Sequence, residues 1–297
     1  MASILIKNCQ VCGSSSLSPV SEIKDHSITK EKFELYKCGA CGFLFTQNPP
    51  EESESGRYYQ SEDYISHSNT STGVVSRLYH MVRDIMLGRK YKLVQDLGAN
   101  KSLLDIGSGT GYFLNYMKQK GYFTSGIEID DKARNFSIKQ FGLDVNTPEH
   151  LKNGGIKQKF GYITLWHVLE HLYDPNAYLQ TFHSMLDVNG YLIIAVPNHN
   201  CFEAKYYGSY WAAYDVPRHL WHFTPETLKK IANNNHFTLV DKKMMPFDPF
   251  YNAMLSEKYK QSPLGLAQGF GIGFVSFIKG YLNVNKSSSV IYVLKKS

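Results

Sequence analysis

Apolar and polar positions along the chain fall into short runs and helically spaced stripes. Lys32-Phe-Glu-Leu-Tyr-Lys37 alternates like a strand, and Phe43-Leu-Phe-Thr46 forms a second short one. From Val74 to Leu97, apolar residues including Leu78, Val82, Ile85, Met86, Leu93 and Val94 recur at helical spacing, with a break between two helices expected at Gly88. Lys101 to Ile106 reads as a buried strand, followed by a glycine turn and a helix running to Lys120. A second strand ends at Glu128, and Asp130 and Asp131 cap a helix reaching about Phe141. Further on, Thr224-Pro225-Glu226 starts another helix, because Thr is a good N-cap and Pro suits the first helical position.

Composition sets limits on this picture. The 297 residues are 43% apolar and include 17 Phe and 21 Tyr, enough for a large core, so collagen-like, disordered and mini-protein classes are excluded. At roughly 150 residues per domain, one large unit and a small one are expected. No run reaches the ~18 apolar residues of a membrane span, and Met1 to Asn8 is too short for a signal-peptide core, so the expected compartment is the cytoplasm. The net charge is +6, and the excess of Lys over acids lies mainly in residues 241–297. A basic tail of this kind attracts an anionic substrate, a membrane surface or nucleic acid, or is simply a solvated surface.

Four of the five cysteines come in two C-x-x-C-G pairs, Cys9/Cys12 and Cys38/Cys41. Sulfurs three residues apart on a tight turn can share one ion, and four thiolates complete a tetrahedral zinc site with no open position, so the expected zinc is structural. The glycine after each pair lets backbone amides approach the sulfurs. Disulfides are disfavoured in a cytoplasmic chain. With its two strands, this segment resembles a zinc ribbon. It is almost neutral, which argues against nucleic acid as its partner. Cys201 stands alone as a small core residue. The expected organisation is a ribbon over 1–48, a linker with lid helices over 49–95, and a catalytic domain over 96–297 carrying an insert at about 246–286. Asn48-Pro-Pro-Glu51 belongs to the linker. Tyr58, Tyr59, Tyr64 and His67 are candidates either for a lid over the ligand or for plain packing.

The most informative stretch is Asp105-Ile-Gly-Ser-Gly-Thr-Gly-Tyr112, a D-x-G-x-G-x-G pattern distinct from the dinucleotide G-x-G-x-x-G. Gly107, Gly109 and Gly111 allow a sharp turn and close approach of a ligand. Asp105 can pair with a ligand ammonium while the helix N-terminus favours a carboxylate, which suits an amino-acid head group and repels a pyrophosphate. Glu128 ends the next strand, 21 residues after Gly107, where an acid accepts hydrogen bonds from ribose hydroxyls. Ile129 is expected to pack against an adenine face.

At these residues the chain resembles the class I S-adenosylmethionine-dependent methyltransferases, over roughly 95–245 with a last strand near Ser289–Lys295. Leu143–Val145, Phe160–Trp166 and Asp187–Pro197 are similar to strands three to five of that class, the last with an Asn-Gly turn. Trp166-His-Val-Leu-Glu-His-Leu-Tyr-Asp-Pro175 and Arg218-His-Leu-Trp-His-Phe-Thr-Pro-Glu226 resemble a small-molecule subgroup that often carries an N-terminal zinc segment. The resemblance implies an α/β, Rossmann-like seven-stranded sheet with an antiparallel edge hairpin. It implies that Asp105, Gly107, Gly109 and Gly111 hold the methionine part of S-adenosyl-L-methionine, with Ser108 and Tyr112 of the same turn also in the cofactor site. Glu128 and Ile129 would hold its nucleoside, with Asn146 to Leu151 edging the adenine, while Trp166 and His167 would face the sulfonium and the acceptor.

Methyl transfer needs an aligned nucleophile and, for a hydroxyl acceptor, a base. His219, His222 and His167 are the candidate bases, because imidazole titrates near neutral pH. Asp215 is expected to orient a ring and Arg218 to hold an anionic acceptor; in the alternative, His222 braces the loop. Glu170 and His171 are expected to open a helix after strand four. The motif that grips an amino group is missing after strand four, which points to an oxygen or carbon acceptor on a small molecule such as a sugar, quinone, lipid or polyketide-like metabolite. The apolar, glycine-rich stretch 263–279 suits a substrate cover or peripheral lipid contact, or else a helical excursion packed on the core. An RNA or protein methyltransferase and a non-catalytic cofactor-binding regulatory module are the alternative functions. Acceptor identity and oligomeric state stay open at this level.

Overall fold

The computed structural model describes residues 3–59 and 74–297, which form two sheets. Tyr64 and His67 of the expected lid lie outside the described residues. The first sheet contains β1 (Leu17–Lys24), β2 (Lys32–Cys38) and β3 (Leu44–Thr46), all antiparallel. The second is built from β4 (Ser102–Ile106), β5 (Phe123–Ile127), β6 (Asp144–Asn146), β7 (Phe160–Trp166) and β8 (Leu186–Pro197), all parallel. A two-residue strand, β9 (Trp221–His222), pairs with β3 and so extends the ribbon sheet from within the larger domain. β10 (Phe237–Met244) and β11 (Ser289–Lys296) complete the large sheet in the order β10-β11-β8-β7-β4-β5-β6, with β11 antiparallel to both neighbours. The expected seven-stranded mixed sheet is therefore the one observed.

The central strands are apolar on both faces because helices cover both. Leu103, Leu104, Ile163, Leu165, Leu192, Ile193 and Ile194 are fully buried. The helices are α1 (Val74–Asp96), α2 (Tyr112–Gln119), α3 (Asp131–Phe141), α4 (Pro148–Lys152), α5 (Pro175–Met185), α6 (Phe202–Tyr207), α7 (Pro225–Asn234), α8 (Asp248–Lys260) and α9 (Gly265–Leu282). Asp130 caps α3 by accepting from the Ala133 amide at 2.7 Å, and Thr224 forms a capping box with Thr227 on α7.

Three local expectations are corrected. α1 runs through Gly88 without a break: a single interior glycine costs only ~1 kcal/mol relative to Ala, and the helix is held by packing on α2. Glu170 and His171 fall in a 3-10 turn, Leu169–His171, and the helix opens one turn later, at Asp174 and Pro175, where Asp174 caps the Ala177 amide. Asn189-Gly190 lies inside β8, where the pairing with β7 shifts register, and not in a turn preceding it.

Arg218 joins the two sheets. Its guanidinium, 4% exposed, donates to Asp215 Oδ1 at 2.7 Å, Asp25 Oδ1 at 2.8 Å, Ser27 Oγ at 2.9 Å and the Tyr58 carbonyl at 2.8 Å. This commits it to the interior, so it is not turned toward an acceptor as the sequence suggested. Burial opposes charge on Asp25, yet the Arg218 guanidinium and the Thr29 amide hold that carboxyl down at about 2. Replacing Arg218 by Met leaves the buried Asp25 and the partly exposed Asp215 without their cation and should cost ~3–5 kcal/mol in urea unfolding. In the native protein the Asp25 contribution is full above the ordinary carboxylate range and is lost as pH falls through about 2.

Candidate functional site

The strand order reverses between β7 and β4, so a crevice opens beyond their carboxyl ends. The turn leaving β4 lines it. Gly107, Gly109 and Gly111 have φ of 68°, 55° and 78°, a left-handed conformation that disfavours side chains. A Cβ at Gly107 would lie 2.5 Å from Val168 Cγ2, and one at Gly111 would lie 2.7 Å from Leu143 and Ser137. At Gly109 it would meet nothing within 4 Å, so this peptide faces the open cleft. Two of the three glycines are thus packed against protein, and the middle one faces open space.

The acids stand beside that peptide. Glu128, at the end of β5, accepts from the Gly109 amide at 2.6 Å and the Asp130 amide at 2.8 Å, while burial raises its carboxyl above the usual range. Ile129 is 72% exposed on the same rim, free to cover a flat ring. Asp105 is buried between neighbouring strands and accepts from Thr164 Oγ1 at 2.5 Å. Burial pushes it up to about 7, against the opposing pull of the Thr164 hydroxyl and the Lys90 ammonium. Ser108 Oγ and Trp166 Nε1 are buried with no hydrogen-bond partner among the described residues. The cleft therefore holds an unused hydroxyl and an unused N–H, two carboxylates and an unfilled backbone position. These features fit an amino-acid nucleoside.

Across the cleft, β7 ends at Trp166, and His167 follows with φ of 58°. His167 Nε2 is 3.1 Å from Asp248 Oδ2 on α8, and Nδ1 is 3.4 Å from Glu170 Oε1. Burial works against its charge, but the two carboxylates raise it to about 10, and the ring stays 34% exposed. Lys90 of α1 places its Nζ 4.2 Å over the Trp166 ring. Burial lowers this ammonium to about 8 despite Asp105 and Asp248. Lys90 and Asp248 were not singled out from the sequence as site residues. A lysine in an amphipathic helix carries no motif, although Asp248 lies in the Phe247-Asp-Pro-Phe-Tyr251 string at the start of the insert.

Of the other two histidines, His222 points away from this cluster and His219 approaches the same Glu170 that flanks His167. His222 is 4% exposed, on β9 inside the ribbon sheet, with Nε2 3.1 Å from Thr46 Oγ1 and its ring edge against Tyr214. Thr46 Oγ1 already donates to the His219 carbonyl, so Nε2–H of His222 is the donor. Burial holds the ring well below its ordinary value and therefore neutral, which makes it a brace between ribbon and core. His219 donates Nδ1–H to the Ala213 carbonyl at 2.8 Å and stacks edge-on with His171. Its Nε2 lies 4.0 Å from both Glu170 and Asp215, so Asp215 is at arm's length and principally engages Arg218. Glu170, His171 and His219 bring ligand-type atoms within 4.8 Å of one another, but His171 Nδ1 is engaged by the Arg218 carbonyl.

Cys9, Cys12, Cys38 and Cys41 converge at the other end of the ribbon. All four thiols are free, and the sulfurs of Cys9/Cys41 and Cys12/Cys38 are each 3.5 Å apart. Tetrahedral zinc with Zn–S of ~2.3 Å sets sulfurs about 3.8 Å apart, so the cluster fits such an ion. Gly13 and Gly42 take φ of 73° and 76°, and the Val11 amide reaches Cys9 Sγ at 3.4 Å. Cys201 is buried at the start of α6, where its sulfur accepts from the Ala204 amide.

Comparison with known proteins agrees with this geometry. The methyltransferase-domain family matches residues 80–242, more than half of the chain, which therefore belongs to that family. The ubiquinone biosynthesis O-methyltransferase of Cereibacter sphaeroides is 30% identical over 162 residues, covering 50% of this chain and 64% of that protein. The match thus spans less than two thirds of that relative. The protein of the same name from Dinoroseobacter shibae is 26% identical over 181 residues, covering 57% of this chain and 70% of its own. Among solved structures, magnesium protoporphyrin IX methyltransferase from Synechocystis PCC 6803 with bound SAH is 14% identical with a TM-score of 0.54, covering 83% of this chain and 100% of its own. At that identity the likeness is one of fold.

His167 should remain protonated from pH 6 to 8 in a histidine NMR titration, because its pKa lies near 10. In Asp248→Asn the midpoint should move down toward the ordinary imidazole range. A wild-type midpoint near 6.5 would remove the two-carboxylate clamp.

Proposed function

We propose that the chain transfers a methyl group from S-adenosylmethionine to an oxygen of a small-molecule acceptor, with one structural zinc held by Cys9, Cys12, Cys38 and Cys41. The observation that supports this most is the left-handed turn at Gly109, open to the cleft between Asp105 and Glu128. The names of the curated relatives favour oxygen over carbon, and a small-molecule acceptor over a macromolecule. The exposed apolar residues of 263–279 extend the reading to peripheral contact with lipid.

When bound, the cofactor supplies a methyl group already activated on a sulfonium. The chain's own residues bind and orient. Asp105 pairs with the ammonium of the methionine part, Ser108 and the start of α2 take its carboxylate, and Glu128 accepts from the ribose hydroxyls. Tyr112 and Ile129 enclose the nucleoside side. The Trp166 face, which already attracts the Lys90 ammonium, suits a sulfonium equally. His167, held between Asp248 and Glu170, borders the acceptor side: an acceptor hydroxyl seated against this cluster passes its proton to one of the two carboxylates as its oxygen attacks the methyl carbon in line. His219 and His222 support the loop behind it.

Calorimetric titration with S-adenosylmethionine tests the pocket. Asp105→Ala and Glu128→Ala should each weaken binding by ~2 kcal/mol or more, about thirty-fold. Because Asp105 sits near 7 and a bound cation favours its charged form, binding should release a proton and tighten as pH rises from 6 to 8. Unchanged affinity in both variants would defeat the assignment. Zinc measured by elemental analysis should be about one per chain and should fall in Cys38→Ser; full metal content in that variant would remove the ribbon's zinc site.

A further inference from the structure

The helix pair between β10 and β11 has its bulky and small residues in unusual places. Gly269, Gly273, Ser276 and Gly280 of α9 are buried. A Cβ at Gly269 would lie 2.7 Å from the Met254 backbone, one at Gly273 2.8 Å from the Phe250 backbone, and one at Gly280 2.9 Å from Ser287. Contact this close admits no large side chain, so the apolar bulk of α9 is displaced to the adjoining, outward flank of the helix. There Leu266, Phe270, Phe274 and Ile278 follow one another at four-residue spacing and are all exposed, with Phe270 at 60%. Leu264, Tyr281 and Leu282 prolong the patch at its ends.

The charges around the patch are of one sign. Lys205, Lys258, Lys260 and Lys279 are exposed on α6, α8 and α9. Both glutamates of this layer, Glu203 and Glu257, are buried, and Asp248 faces His167. No acidic residue follows Glu257 in the sequence. Tyr206, Tyr251 and Tyr281 are half-exposed or more at the margins, where a ring with one polar end suits a membrane–water boundary. No helix among the described residues is long and apolar enough to cross a membrane. An apolar helix face with a purely basic rim therefore fits the surface of an anionic bilayer, with α9 lying in the interface plane.

We propose that the outer face of α9 docks on an anionic lipid bilayer. The docked layer is tied directly to the cleft, since α8 begins at Asp248, the carboxylate that holds His167 Nε2. Resting on the methyl-transfer reading, this arrangement directs the acceptor side of the site toward the lipid and selects acceptors that partition into it.

The test is co-sedimentation of the full chain with vesicles of phosphatidylcholine alone and of equal parts phosphatidylcholine and phosphatidylglycerol. The chain should pellet with the anionic vesicles and be released by high salt. A Leu266→Ser/Phe270→Ser/Phe274→Ser variant, altered only at exposed positions, should partition at least about tenfold more weakly. Lys260→Glu/Lys279→Glu should lose binding to the anionic vesicles selectively. Wild-type protein that stays in the supernatant with both vesicles overturns the proposal. So does a triple-serine variant that binds like wild type, or a wild-type dimer, seen by light scattering without lipid, that the triple-serine variant abolishes. Calorimetry with S-adenosylmethionine on the same samples keeps the two readings apart: loss of vesicle binding with intact cofactor affinity removes only the docking surface, and the converse removes only the methyl-transfer reading.

Discussion

The cleft depends on a carboxylate that folding has taken out of water. Asp105 lies between β5 and β7 with a threonine hydroxyl as its neutral partner and a lysine some way off, an environment that leaves its charge poorly compensated. Such a group is a standing demand for a cation. The surrounding features follow from that demand. The glycine turn keeps the approach to Asp105 free of side chains, Glu128 fixes the middle peptide of the turn, and Trp166 offers an aromatic face to positive charge.

The opposite wall reverses this electrostatic logic. His167 is a cation because two acids flank it, and one of them, Asp248, belongs to a helix far along the chain. Lys90 comes from the helix preceding the sheet. The cleft thus brings together acids at strand ends, a lysine from the helix before the sheet and a histidine held between two further acids.

The ribbon is continuous with this machinery. β9 adds a strand from the catalytic domain to the ribbon sheet, and Phe43 and Phe45 pack with Trp221 in the main core. Arg218 crosses the same boundary, buried and paired with the buried Asp25 and the partly exposed Asp215. The four-cysteine end of the ribbon and the loop carrying Arg218 and His222 are therefore joined through one continuous sheet and one buried ion pair.

Features whose geometry is local were legible in the residues. Three alternating glycines after an apolar run define a left-handed turn, two C-x-x-C-G knuckles define converging sulfurs, and Thr-Pro-Glu defines a helix start, because each depends on backbone angles within a few positions. The roles of the histidines were not legible, since an imidazole becomes a charged group or a neutral brace according to what surrounds it: Asp248 and Glu170 for His167, Thr46 and Tyr214 for His222. Arg218 looked like an acceptor ligand until its partners at positions 25 and 58 were brought to it. The sequence by itself determined the turn, the knuckles and the strand-end acids; only the tertiary structure decided which side chains face the cleft, because burial and charge pairing arise between residues that meet only when the sheets close.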